Sequence, residues 1–449
     1  MNKEYIPMRK FFLSTLIVPF LSMIAVMNVH ASPQVIIKSE LASPVVLEEA
    51  QDKNYLKVSL TGFPLSSNKR SPINLALVID RSTSMTGDRI EKAREAAIMA
   101  VNLLTAQDTI SIIGYDSSAQ VVIPATKVKD KAKLIKAIKQ SIHPQGMTAL
   151  FAGVSKGIDQ VSKHLNKEQV NRIILLSDGQ ANVGPTSLKE LSELSKIAAK
   201  KGVTISTIGI GEGYNEDLMT AIAGYSDGNH AYVANTADLE HIFTKEFKDV
   251  MSVVAQDVEV LIKVSEGTKP LRLLGREGEI VGDTIKVKLN QLYANQEKYV
   301  LLEVLPAKGK SDQQQLLADV QVSYNNMASQ QLENYDEKVN IAYTKSSEVV
   351  KKAQIDEIVI DSADQKAAIE NERAIQLIDE GKIQEAQSVL QANAVYYDSI
   401  ELNSDSARSA LKDRVERNMH LADKVNKESK SSSRKFLKEA TYQTKNQQQ

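Results

Sequence analysis

Asp80-Arg81-Ser82-Thr83-Ser84 sets one carboxylate and two hydroxyls at alternating positions, directly after the apolar run 73–79. A loop leaving the end of a strand can turn all three into one concavity. An oxygen-only donor set suits a hard cation, Mg2+ first and Mn2+ or Ca2+ after it. Two more loops carry donors of the same kind. HPQGMTAL (143–150) presents Thr148, and LLSDGQANVG (175–184) presents Asp178. Two carboxylates and three hydroxyls leave a divalent ion electrophilic, with positions open to water or to a carboxylate from another molecule.

Other chemistry finds little support. The 449 residues include no Cys, which removes disulfides, zinc-thiolate and iron–sulfur sites, and thiol catalysis. The six His residues (30, 143, 164, 230, 241 and 420) show no metal spacing such as HExxH. His143, in the Thr148 loop, reads as surface-solvated. Gly209-Ile210-Gly211-Glu212-Gly213 misses the dinucleotide pattern, because the third Gly stands at 213 and not 214. An Asp at a strand end with Mg2+ could also serve phosphoryl transfer of the haloacid dehalogenase kind. That chemistry needs a second Asp two residues on, where this chain has Ser82. With no recognisable Ser–His–Asp set or catalytic carboxylate pair, the chain is expected not to be an enzyme and to have no small-molecule substrate. Lys plus Arg (55) and Asp plus Glu (56) nearly cancel, so no basic excess marks a nucleic-acid surface. Six Lys between 127 and 139 read as the solvated face of an amphipathic helix.

The elements that must position these donors alternate between strand and helix. Continuous apolar runs at 73–79, 109–115, 171–177 and 203–211 suit strands buried on both faces, and 119–124 an edge strand. Helices are expected at 88–105, 129–142, 149–164, 187–201, 215–223 and 236–251. This order predicts a doubly wound, mostly parallel, Rossmann-like α/β sheet over 71–251, with ligands beyond the carboxyl ends of its strands. The segment 252–345 turns to strand character and reads as a β-sandwich-like module. The β segment at 32–70 could join it, making the α/β domain an insertion. A helical region is expected at 346–428, with helices at 350–380, 382–395 and about 404–428. The tail 429–449, rich in Lys, Ser and Gln, reads as disordered.

Residues 1–31 read as an export signal peptide. Lys3, Arg9 and Lys10 precede an apolar stretch at 11–29, and Val29-His30-Ala31 fits a cleavage site. The chain is therefore expected to be exported, to the periplasm or the medium. The alternative is an uncleaved membrane anchor at 11–29. Loss of 1–31 leaves 52 basic and 55 acidic residues, again with no marked excess.

Asp80-x-Ser82-x-Ser84, then Thr148 in GMTAL, then Asp178 in SDG, in that order on alternating strands, resembles a von Willebrand factor type A domain with a complete metal-ion-dependent adhesion site. The resemblance covers residues 72–250. LLSDGQANVGPT and TIGIGEGYNEDLM resemble bacterial secreted members akin to the calcium-activated chloride channel regulators and the inter-alpha-trypsin inhibitor heavy chains. There, too, β segments flank the domain. The resemblance implies that Ser82, Ser84 and Thr148 ligate Mg2+ directly. It implies that Asp80 and Asp178 do so directly or through water, and that a partner protein's Asp or Glu completes the octahedron. It therefore implies a metal-dependent adhesion or interaction protein. The alternative is an envelope structural or assembly factor whose helical C-terminus is the working surface and whose metal is structural. Arg81 departs from the family's usual small or apolar residue, and could narrow the rim of the site or pair with a ligand acid.

Overall fold

The structure, a computed structural model, describes residues 34–49, 51–64, 70–178, 180–211 and 213–447. The expected export signal and its cleavage site lie outside the described residues. Among the described residues, no helix is long and apolar enough to cross a membrane.

The chain begins in a β module with β1 (Val35–Leu41), β2 (Val45–Leu47) and β3 (Asn54–Gly62). It then enters the α/β domain, whose strands are β4 (Ile73–Asp80), β5 (Thr109–Tyr115), β6 (Ala119–Lys127), β7 (Val170–Ser177), β8 (Thr204–Ile210) and β9 (His230–Val233). They lie in the order β6-β5-β4-β7-β8-β9, and every pair is parallel except β5 with β6. Every residue of β4, β5, β7 and β8 is buried. Both faces of these strands are covered, so their sequences run apolar without alternation. The helices are α1 (Asp88–Leu103), α2 (Lys131–Ser141), α3 (Leu150–Ser162), α4 (Leu188–Lys200), α5 (Glu216–Tyr225) and α6 (Leu239–Met251). On one face α1, α2 and α6 pack through Ile90, Val101, Ile138 and Phe243. On the other, α3, α4 and α5 pack through Val154, Ile158, Leu191 and Ile222.

The β module resumes with β10 (Val253–Val264), β11 (Lys269–Leu274), β12 (Glu279–Val281), β13 (Thr284–Tyr293), β14 (Glu297–Leu305), β15 (Gln314–Asn326) and β16 (Gln331–Thr344). Two sheets result, β1-β3-β14-β11 and β12-β13-β10-β15-β16-β2. Because β3 pairs with β14 and β2 with β16, residues on both sides of the α/β domain share one core, around Val58, Leu60, Val260, Ile262 and Val320. The α/β domain is inserted between them. The strand β16 lies within the segment expected to be β, but its own signal is weak. Its first half is exposed or half-buried and charged, so an apolar period appears only from Val339.

Two helical expectations need correction. The helix expected at 350–380 is split into α7 (Ser347–Ala353) and α8 (Asp356–Asp379). At the break the Ile355 amide donates to the Ala42 carbonyl at 2.9 Å, a bond an unbroken helix would forbid. Two more helices follow, α9 (Ile383–Asp398) and α10 (Asp405–Lys427). The tail, expected to be disordered, is helix α11 (Lys430–Lys445). Its polar composition conceals an inward face. Phe436 and Tyr442 meet Tyr232 and His230 edge-on, and Leu437 joins Ile378 and Leu390 among the helices. Its basic residues answer acids of other elements: Arg434 bonds the buried Glu216 (2.5 Å) and the more exposed Asp217 (2.5 Å) and Asp379 (2.7 Å), and Lys435 bonds Glu216 (2.8 Å).

Candidate metal centre

Asp80 is the last residue of β4, and the chain turns at once through a short 3-10 segment, Thr83–Met85, into α1. The Asp80 carboxylate is fully buried. Its Oδ1 accepts from the Ser82 amide at 2.8 Å. Its Oδ2 accepts from the Ser177 hydroxyl at 2.7 Å and from the Tyr115 hydroxyl at 3.3 Å. Tyr115 ends β5 and Ser177 ends β7, the two neighbours of β4, so the register of the sheet brings the three together. All these donors are neutral. Burial, with a smaller push from the Asp178 charge, raises the Asp80 pKa to about 6.

The hydroxyls lie side by side. Ser82 Oγ is 3.0 Å from Ser84 Oγ, and Ser84 in turn donates to Asp178 Oδ1 at 2.9 Å. Asp178 follows β7 and is buried; its Oδ2 accepts from Arg89 Nη1 at 2.5 Å. Thr148 is buried just before α3. Its amide donates to Asn182 Oδ1 at 2.8 Å, and its carbonyl accepts from the Asn182 amide at 3.1 Å. Asn182 thus ties the Thr148 loop to the Asp178 loop. Thr83 ties it to the Asp80 loop, its amide and hydroxyl donating to the Gly146 carbonyl at 3.1 and 2.9 Å. The five expected donors therefore sit in three cross-bonded loops at the carboxyl ends of the strands, where doubly wound sheets bind ligands.

Arg81 neither narrows the rim nor pairs with a ligand acid. It is buried, with Nη2 on Asp116 (2.6 Å) and Nη1 donating to the Ser141 carbonyl (2.8 Å). Ser141 ends α2, so the guanidinium braces the Asp80 loop against a helix C-terminus, where a cation is favoured. Tyr115, Ser177, Asn182 and Arg89 escape the sequence reading. Each is a polar residue at a strand end, in a loop or in the first turn of a helix. Only the sheet register and loop packing reveal which neighbour each one serves.

The donor set fits a hard divalent cation. It is all oxygen, it is held by loop-to-loop bonds, and its two buried carboxylates have one guanidinium between them. A cleft of about 1010 Å3 opens elsewhere, lined by Tyr225, Lys288, Lys438 and Lys445. Some of its charges pair within the protein, as in Lys438–Asp217 and Lys445–Glu372.

The von Willebrand factor type A domain model matches residues 74–245. The uncharacterized protein sll0103 of Synechocystis sp. is 28% identical over 291 residues, 62% of this chain and 67% of that protein. Inter-alpha-trypsin inhibitor heavy chain H3 of Mus musculus is 25% identical over 198 residues, 42% of this chain. The match spans only 22% of the heavy chain's own length. A solved structure, von Willebrand factor type A from Catenulispora acidiphila, superposes with a TM-score of 0.70 at 15% identity, over 86% of this chain and 89% of that one. The shared fold thus extends well beyond the α/β domain. Domains of this kind commonly mediate metal-dependent protein interactions, and many bind a divalent ion at this edge of the sheet. Sequence model and fold agree: residues 74–245 of the chain are a von Willebrand factor type A domain.

Proposed function

We propose that this protein is an exported, metal-dependent protein-binding module. Asp80, Ser82, Ser84, Thr148 and Asp178 hold Mg2+, and a partner protein contributes an Asp or Glu. The observation that carries the reading is the convergence of two buried carboxylates and three hydroxyl residues in three mutually bonded loops. A bound divalent ion supplies a Lewis-acidic point for an external carboxylate. The chain's own residues do the rest. Neutral hydroxyls keep the negative charge of the site low, so it does not saturate the ion. The bonds through Asn182 and Thr83 hold the loops before any partner arrives, which limits the ordering cost of binding. Beside the donors stands no second carboxylate two residues after Asp80, and Ser82 takes that place, which supports binding over catalysis. The basic and apolar pattern of residues 1–31 supports export.

The test is affinity capture from native envelope extract with the chain from residue 32 onward as bait, run in Mg2+, in EDTA and with Asp80→Ala. A partner retained only by wild type in Mg2+ is the expected result. A partner retained in all three conditions would sink the metal-contact reading. It would move the working surface to the helical region, where Val395 is 70% exposed.

A further inference from the structure

Arg89, the second residue of α1, places Nη1 at 2.5 Å from Asp178 Oδ2 and at 3.2 Å from the Ser84 carbonyl. The two partners differ in freedom. The Asp178 side chain is 0% exposed, whereas that of Arg89 is 36% exposed. The acid is fixed in the loop, and the base is a long, partly solvated side chain that can swing into water. Its seat is built by a second loop. Gly211, at φ +71°, follows β8, and a Cβ there would come within 2.9 Å of Arg89 Nη2. Arg81, the other guanidinium nearby, is committed to Asp116 and Ser141. Asp80 is met by neutral donors alone. Arg89 is thus the cation in contact with the donor set among the described residues.

We infer that Arg89 is the internal counter-ion of the metal centre: it neutralises Asp178 when no cation is bound, and so sets the cation affinity of the site. The inference rests on the metal reading above. Two effects follow from one charge. A guanidinium on a ligand oxygen repels an incoming cation and competes with it for Asp178. The same guanidinium spares the cation-free protein a buried, unbalanced carboxylate. Removing it must therefore tighten metal binding and weaken the metal-free fold. An arginine with a merely structural role predicts something else, a loss of stability that metal does not recover and no gain in affinity.

The experiment titrates the chain from residue 32 onward with Mn2+ by calorimetry, as wild type, Arg89→Gln, Arg89→Lys and Asp80→Ala. Each protein is also melted in EDTA and in saturating Mn2+. Arg89→Gln is expected to bind Mn2+ about tenfold tighter than wild type or better. It should melt lower in EDTA and gain more on adding Mn2+. Equal or weaker binding by folded Arg89→Gln, or a fall in melting temperature that Mn2+ leaves unrecovered, overturns the inference. If Arg89→Gln does not fold, Arg89→Lys decides: it keeps the charge on a single donor and should bind modestly tighter than wild type, and binding no tighter counts against. Asp80→Ala tests the underlying reading. If it binds Mn2+ as wild type does, the metal site itself is misassigned. If it fails to bind while Arg89→Gln matches wild type, only the counter-ion is wrong.

Discussion

Thr148 reaches its neighbours through its backbone, with both amide and carbonyl engaged by Asn182. Its hydroxyl is therefore dispensable for the loop and available to a ligand. Thr148→Val keeps the shape and removes one oxygen donor. It is expected to lower Mn2+ affinity about tenfold, near 1.4 kcal/mol, and to leave the melting temperature in EDTA within about a degree of wild type. Calorimetric titration beside a thermal melt checks both. A variant that melts several degrees lower but binds Mn2+ unchanged would make Thr148 a packing residue. The same logic separates Asp80 from Arg81. Both are buried and adjacent, yet one meets only neutral donors and the other pairs with Asp116 and a helix terminus. What a buried charge at this edge of the sheet can do depends on which partners it meets.

Helix α11 shows the same rule between elements. It docks on β9 and α5, and beneath it lies His230, fully buried, with its ring nitrogens 2.8 Å from Thr207 Oγ1 and 3.3 Å from the Tyr214 hydroxyl. Burial, with the nearby Lys438 charge adding to it, pushes the His230 pKa down to about 3. The unfolded chain takes up this proton near pH 6.5, and the folded chain does not. Stability from this group is thus complete above pH 6.5 and is lost as the pH falls towards about 3, by up to about 1.4 kcal/mol per pH unit. Burial raises Asp249 and Asp361 to about 6, and these groups act in the opposite sense, favouring the fold as the pH drops. The effect of His230 must therefore be read as a difference. His230→Gln is expected to gain stability relative to wild type between pH 6.5 and pH 4 in urea titrations. Parallel curves for the two proteins across that range would refute it. Nor is α11 itself incidental. Its Arg434 serves three acids from two modules, Glu216 and Asp217 in the α/β domain and Asp379 in α8.

On the scale of the whole molecule, the α/β domain stands on the sandwich by the amino ends of its strands, and the Asp80, Thr148 and Asp178 loops lie at the other end. The junction is polar and buried. Arg172 of β7 is 0% exposed; its Nη2 donates to the Tyr293 hydroxyl of β13 at 2.6 Å and lies 3.3 Å from Glu246 of α6. Close by, Asp227 joins Lys298 (3.1 Å) and Arg276 (3.0 Å). Burial opposes the Asp227 charge, but these two cations hold its pKa below the usual carboxylate range. Such a network ties insertion to host. Tyr293→Phe removes the hydroxyl that the buried guanidinium donates to, leaving it only the longer contact with Glu246, and should cost about 1–3 kcal/mol. Urea unfolding followed by far-UV CD should still show one transition. Two separated transitions, with the loss confined to one, would mean that the modules unfold independently.

The oxygen-bearing residues proposed as donors, at positions 80, 82, 84, 148 and 178, could be picked out in the sequence, and the parallel sheet that carries their loops was legible there. Both are local signals: continuous apolar runs mark strands buried on two faces, and the loops after them must converge at one edge. The interruption at Ile355, the charged strand β16 and the docked helix α11 were not legible. A strand exposed along half its length has no apolar period, and a helix whose buried face is largely Ser, Lys, Thr and Tyr reads as solvated until its partners are known. The partners of the two arginines were hidden for the same reason. Arg81 and Arg89 stand eight residues apart on either side of the same turn, and nothing in their types separates them. Only the packed structure sends one to Asp116 and the other to Asp178, because an ion pair depends on distances between residues far apart in the chain.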